Sequence, residues 1–212
     1  MKKQFFEIIF YKLFYLLMGM HAMSSLHFTG YHGTKKQHAA CILSEKRFKP
    51  SKSSREWLGK GIYFFKEDVL QAFIFAKYYH KSKAISILKT DIITESYLDT
   101  TITKHRNAID ELLNDVLEAL KSKEGEFYSY ILSNFPELEK GLINNNSEGY
   151  ILDIMYLIEP YDLVICPYDI PKQEKKEYFK FKPTHLQVCV KNDECINYSS
   201  LKEVDESEYR SV

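Results

Sequence analysis

Leu26-His27-Phe28-Thr29-Gly30-Tyr31-His32-Gly33-Thr34, with its later companion Trp57-Leu58-Gly59-Lys60-Gly61-Ile62-Tyr63-Phe64-Phe65, is the part of the chain from which the fold is read. Each piece sets a glycine beside a polar aromatic residue, the pairing needed where backbone approaches a ligand closely and a flat ring stacks on it. The two are expected to form two walls of one pocket. Leu26-His27-Phe28 has strand character, and Ala39, Ala40, Ile42 and Leu43 give the following segment the apolar face of a helix. Thr34 with Gln37 has the form of a capping box, so the strand should end in a loop leading into a helix N-terminus with free backbone N–H groups. Ile62 to Phe65 is β-prone. Glu67 and Asp68 then open a helix carrying Val69, Leu70, Ala72, Phe73 and Ala76 at helical spacing.

Outward from this centre, Ile85, Ile87, Leu88, Ile92 and Ile93 suggest a strand that ends near Tyr97-Leu98-Asp99. Ile109, Leu112, Leu113, Val116, Leu117 and Leu120 fall on one face of a helix between Lys104 and Lys123. Pro136, Gly141 and the Asn144-Asn145-Asn146 run break the chain beyond Lys123, which predicts two or three helices over one side of a sheet. Asp162 to Cys166 and Leu186 to Val190 are the best late strands, separated by a Lys- and Glu-rich loop from Pro171 to Lys182. Arg47 to Arg55 reads as an exposed loop without a core pattern. The organisation expected is an apolar helical extension over residues 1–25, one α+β domain over 26–200, and a loose charged tail over 201–212.

Composition narrows the functional classes. The 212 residues are 45% hydrophobic and carry 29 basic against 29 acidic side chains, so there is enough apolar material for a core and no net charge calling for nucleic acid or an anionic membrane. Cys41, Cys166, Cys189 and Cys195 are too sparse for a disulfide scaffold and form no zinc-type pairs, which fits reduced thiols in a cytoplasmic protein. His21, His27, His38, His80 and His105 show no ligand spacing, and no metal is expected. Phe5 to Met20 is apolar but interrupted by Glu7 and Lys12, shorter than the ~20 residues of a spanning helix. A helix packed on the domain is expected there, with contact to a membrane surface as the lesser alternative. Asp153 and Glu159 lie on an apolar stretch and are expected to cap or pair.

Tyr31-His32-Gly33-Thr34, the helix bearing Ile42-Leu43, and Gly59-Lys60-Gly61-Ile62-Tyr63-Phe64 followed by a helix containing Ala72 resemble the NAD-binding half of the poly(ADP-ribose) polymerase branch of ADP-ribosyltransferases. The resemblance covers residues 28–76, with a fainter match over Thr184 to Ile196. It implies a mixed, split β-sheet core with flanking helices and a helical insertion. It further implies that NAD is the substrate, with no metal. His32 would hydrogen-bond a ribose hydroxyl, the backbone of Gly33 would bind the nicotinamide carboxamide with Thr34 beside it, and Tyr63, followed by Phe64, would stack on the nicotinamide. The ring sandwich would be closed from the next helix, where Phe73, Ile74 and Phe75 lie and Phe73 is taken as the contact. Lys46, Arg47, Lys49, Lys52 and Arg55, usually what a solvated loop looks like, flank this pocket and could meet the pyrophosphate.

The family's third signature is a glutamate at the start of a late strand, and here the position holds Gln187. Loss of nicotinamide builds positive charge on the sugar, which a carboxylate stabilises while deprotonating the acceptor; a glutamine orients by hydrogen bonds but is no base. Glu194, His185, Glu174 and Glu177 are the candidate replacements, unranked by sequence. The resemblance implies catalytic roles for Gln187, His32 and Tyr63 in transferring ADP-ribose to a macromolecule, protein or nucleic acid. A mono-transferase of the bacterial or phage toxin, defence or effector kind is the expected setting. The alternatives are a catalytically silent NAD or ADP-ribose binding module and an NAD glycohydrolase.

Overall fold

The expected alternation of strand and helix is present in the computed structural model, which describes residues 25–51, 56–80, 84–143, 147–169 and 184–210. Seven strands, β1 (Leu26–Lys35), β2 (Ile62–Lys66), β3 (Ile85–Thr94), β4 (Tyr97–Asp99), β5 (Leu163–Asp169), β6 (Thr184–Val190) and β7 (Ile196–Glu203), form one mixed sheet in the order β4-β5-β6-β2-β1-β3-β7. Of these described strands, β4 and β5 run parallel and the other neighbours are antiparallel. The helices are α1 (Lys36–Glu45), α2 (Val69–His80), α3 (Thr103–Ser122), α4 (Glu126–Asn134), α5 (Leu138–Ile143), α6 (Ser147–Ile158) and α7 (Ser207–Arg210). The architecture is therefore mixed α+β. The apolar N-terminal segment and the Pro171 to Lys182 loop lie outside the described residues.

Side chains alternate across a strand, so β2 serves two cores. Ile62 and Phe64 point to one face and join Phe28, Leu88, Ile92 and Val188, where Ile42 and Leu43 of α1 cover them. Tyr63 points to the other face, into a cluster built from Leu98, Val164, Cys189 and the inward sides of α3, α4 and α6. Phe65 shares that second face but belongs to a third cluster, under α2, with Ala72, Ala76, Ile87 and Tyr209. Helix α3 buries His105, Ala108, Leu112, Val116 and Ala119, a face rotated from the expected one: Leu112 and Val116 are shared, Ile109, Leu113 and Leu120 are only partly buried, and Leu117 is exposed. Strand β2 ends where Glu67 takes a left-handed φ of 54° and its carboxylate accepts the backbone N–H of Thr29 at 2.7 Å. At the start of α2 the carboxylate of Asp68 accepts from Gln71 N at 3.0 Å, an N-cap in the expected place.

Several expectations are corrected. His32, Gly33 and Thr34 form no loop: β1 continues through them to Lys35, Thr34 is buried, and Lys35 caps α1 without a side-chain hydrogen bond. A ten-residue ladder with β3, running to Lys35 opposite Ile85, outweighs the local capping signal. The basic loop contributes to the core through Phe48, whose side chain is fully buried. Beyond α3 the chain forms three described helices, α4 to α6, within the two or three expected, with Gly125 (φ 97°) separating α3 from α4. The tail is not loose over its described part. Strand β7 runs to Glu203, and Leu201, Val204 and Tyr209 are buried on a sequence whose charged residues face outward. Tyr209→Ala is accordingly expected to destabilise the fold by about 3 kcal/mol, read as a lowered urea midpoint; a loose tail would leave the midpoint unchanged.

Candidate functional site

The sheet has a narrow waist. Strands β1 and β2 pair only at Gly30 with Lys66 and Tyr31 with Phe65, whereas β1 matches β3 along all its length. Thr29 directs both its N–H and its C=O toward the β2 side, onto Glu67. Backbone direction alternates along an antiparallel strand, so Gly33 also turns its N–H and C=O to that side, beyond the last ladder pair, where the C=O accepts a hydrogen bond from the His80 ring of α2. The ring of His32 spans this gap: Nδ1 lies 2.8 Å from the carbonyl oxygen of Tyr63. A carbonyl only accepts, which assigns the proton to Nδ1 and leaves the Nε2 lone pair to accept. Phe48 and Phe64 hold the ring by edge contacts at 5.2 and 5.8 Å, and burial depresses its pKa, keeping it neutral near pH 7.

Tyr63 leaves the opposite face. Its hydroxyl donates to Gly59 O at 2.7 Å and accepts from Leu58 N at 3.0 Å, and burial raises its pKa far above the ordinary tyrosine range. The turn it grips is itself locked. Gly59 has a φ of 76° and no room for a Cβ against the carboxylate of Asp153. Lys191, at the end of β6, donates to Leu58 O and Lys60 O at 2.8 Å each and to Asp153 Oδ1 at 2.7 Å, while Asp153 also accepts from Lys60 N. The lysine side chain is 2% exposed and all three ammonium protons are used. Asp153 thus pairs, as its sequence context predicts.

Gln187 sits on β6, opposite Phe65 of β2 and Cys166 of β5, on the face that carries Tyr63. Its amide nitrogen lies 2.9 Å from Nε2 of His185, two residues away on the same face. His185 is only 9% exposed, its ring lies between those of Phe65 (5.2 Å) and Tyr168 (6.2 Å), and its Nδ1 has no hydrogen-bond partner among the described residues. An orphaned buried ring nitrogen is costly. Of the four candidate bases, Glu194 is exposed in the turn between β6 and β7, Glu174 and Glu177 lie outside the described residues, and His185 alone touches Gln187.

The structure sorts the remaining candidates. His32 and Tyr63 are not facing walls; their side chains leave opposite faces, and the His32 ring reaches the backbone carbonyl of Tyr63 across the gap. Phe64 is buried behind the sheet as a support for His32, and Thr34 is buried too, so neither presents a side chain to a ligand. Gly33 has a packing reason of its own, since any Cβ would collide with Ala72 O of α2. Phe73 turns away, onto Tyr209 at 5.0 Å, whereas Phe75 contacts Phe65 at 5.7 Å and is 42% exposed. The spacing of these rings in the sequence carried no signal for that choice. The cavity of about 210 Å³ between the Gly59 turn and Phe135, Tyr150 and Asp153 lies behind the turn and is too small for a dinucleotide. Among the described residues, no group of three or more His, Cys, Asp or Glu is placed to hold a metal, and no helix is long and apolar enough to cross a membrane.

Two outcomes are expected. Lys191→Met should cost about 3–5 kcal/mol in urea unfolding by stranding Asp153, and adding Asp153→Leu should recover part of the loss; no recovery would deny the pairing its role. His32, His105 and His185 all have pKa values lowered by burial, and His105 Nδ1 accepts from Asp99 N at 2.8 Å. Folded pKa values below the unfolded one, about 6.5, mean that the unfolded chain binds protons first, so stability present above pH 7 is lost as pH falls through that range. The slope should approach about 1.4 kcal/mol per pH unit for each such histidine and should flatten in His105→Asn.

No protein-family profile matches the chain, and no solved structure matches it. The Uncharacterized protein MJ0359 of Methanocaldococcus jannaschii is 30% identical over 195 residues, covering 82% of this chain and 86% of the relative. At that identity and coverage the two share one fold and one ancestry, and the chain belongs to the same protein family as MJ0359 of Methanocaldococcus jannaschii.

Proposed function

We propose that the chain is an NAD-dependent ADP-ribosyltransferase, a reading that includes the ADP-ribosyltransferase form of its α+β fold and intracellular action. The observation carrying it is that His32, Tyr63 and Gln187, far apart in sequence, fall on the three adjacent strands β1, β2 and β6 around the gap in the sheet. A planar amide-bearing ring in this gap would use the Gly33 N–H at its edge and the Tyr63 ring at its face. The neutral His32 would accept a hydrogen bond from a ribose hydroxyl through Nε2. Because His32 and Tyr63 serve opposite faces, the dinucleotide would cross the gap instead of lying in a one-sided groove.

Transfer breaks the bond between nicotinamide and ribose, forms a bond from the sugar to the acceptor, and releases the acceptor's proton. Gln187 would orient the ribose. His185, whose Nε2 accepts from the Gln187 amide and whose Nδ1 therefore carries the ring proton, would hold that amide in place, and the acceptor's proton would leave to solvent. Incubation with labelled NAD, followed by separate protease and nuclease digestion, tests the proposal. Nicotinamide release and a labelled macromolecule are expected, both falling about 100-fold or more in Tyr63→Ala and Gln187→Ala, with His32→Ala acting mainly through KM. Absence of both products would end the reading. The amide at Gln187 favours one alternative, a silent NAD or ADP-ribose sensor, which tight NAD binding in calorimetry without turnover would identify.

A further inference from the structure

Aromatic side chains are gathered around Gln187 in a way neither the core nor the proposed nicotinamide contact uses. From Phe65 and His185, which flank Gln187, ring contacts run outward in two directions. One passes through Phe75 (5.7 Å) to Tyr79, stacked on it at 5.1 Å with an interplanar angle of 12°. The other passes through Tyr168 to Trp57, at 4.8 Å. The outer members are open to solvent: Trp57 is 55% exposed and Tyr79 66%. Large aromatic rings this exposed, in one connected row, are unusual on a protein surface without a partner.

Charge is distributed unevenly along the row. The segments Lys35–Ser44 and Val69–His80 contain no acidic residue, and His80, at the end of the second, contacts Tyr79 at 5.1 Å. Burial first, then the charges of Lys35 and His38, depress the pKa of His80, which places α1's N-terminal end beside the end of α2. Lys36 and His38 are exposed there, whereas Lys77 lies over Phe73 on the opposite flank of α2. The chain's net charge of zero therefore hides a local cationic corner at the Tyr79 end. At the other end Glu148 lies near Tyr168. A ligand matching this row has flat rings spaced for stacking and an anionic backbone gathered at one end.

We propose that this row binds single-stranded nucleic acid, its bases stacking on Trp57, Phe75 and Tyr79 and its phosphates meeting Lys35 and Lys36. Flat aromatic platforms recognise any base because each has a π-face, and lysines beside them neutralise phosphates. Duplex fits poorly, since its bases are already stacked. Where the ADP-ribosyltransferase reading also holds, this surface would present the acceptor beside Gln187, but the binding itself needs no NAD.

Trp57 is the chain's single tryptophan, so its fluorescence reports on the row directly. Full-length protein is titrated, without NAD, with a twelve-nucleotide oligo-dT, the same length of single-stranded RNA, a duplex of equal length and a poly-glutamate peptide. Quenching of Trp57 with half-saturation at about 1–100 µM is expected for the single strands, weakening about tenfold between about 50 and 200 mM salt. Tyr79→Ser and Lys36→Glu, both at exposed positions, should each weaken binding about tenfold with unchanged thermal unfolding, which serves as the folding control. No quenching by either single strand, equal binding of duplex, equal quenching by the acidic peptide, or variants that bind like the wild type would each overturn the proposal. Nicotinamide release is scored separately, so loss of one result leaves the other standing.

Discussion

The buried ion pair between Lys191 and Asp153 is the constraint on which the site depends. Its three lysine protons go to two carbonyls of the Gly59 turn and to a carboxylate from the helical layer. One side chain thereby joins the end of β6, the turn before β2 and helix α6. Tyr63 takes its orientation from that same turn, through Gly59 O and Leu58 N. Buried charges rarely add net stability over an apolar substitute, but they specify geometry because every partner must be met. Here the geometry specified is the position of a ring.

A second constraint is the short ladder between β1 and β2. Glu67 closes it at one end by turning left-handed and capturing Thr29, and His32 bridges it at the other by bonding to Tyr63. Between those closures and the glycine turn, the backbone groups of Gly33 stay outside the ladder with β2, its C=O meeting His80 instead. A continuous sheet would have consumed them. The same waist places α2 directly on Gly33, through Ala72 and Ala76, and so brings Phe75 beside Phe65. Packing of one helix and exposure of one backbone segment are thus consequences of a single interrupted pairing.

How much was legible before the fold was known varies with the range of the interaction. The α3 helix, the strands around Ile62 and Leu186 and the pairing of Asp153 followed from local spacing, since periodicity reports which face of an element is buried. Thr34 and Gln37 misled because a capping box is a local signal, and β3 supplied a ten-residue competitor. The charged tail misled in the same sense: Leu201, Val204 and Tyr209 are spaced among charges that mask them in composition but not in packing. Phe73 and Phe75 could not be separated, because the choice depends on which flank of α2 meets α7 and which meets β2.

The sequence by itself determined most element types and the mixed α+β class, because these rest on local chemistry and short-range periodicity, whereas His32, Tyr63 and Gln187 came together as a set only through the family resemblance. Only the tertiary structure decided that His32 and Tyr63 serve opposite faces, that His185 is Gln187's partner, and that Lys191 holds the glycine turn. Those are contacts made across strands and helices, most of them between segments separated by dozens to more than a hundred residues, and nothing in one segment's own pattern encodes which distant segment will fill its unsatisfied hydrogen bonds.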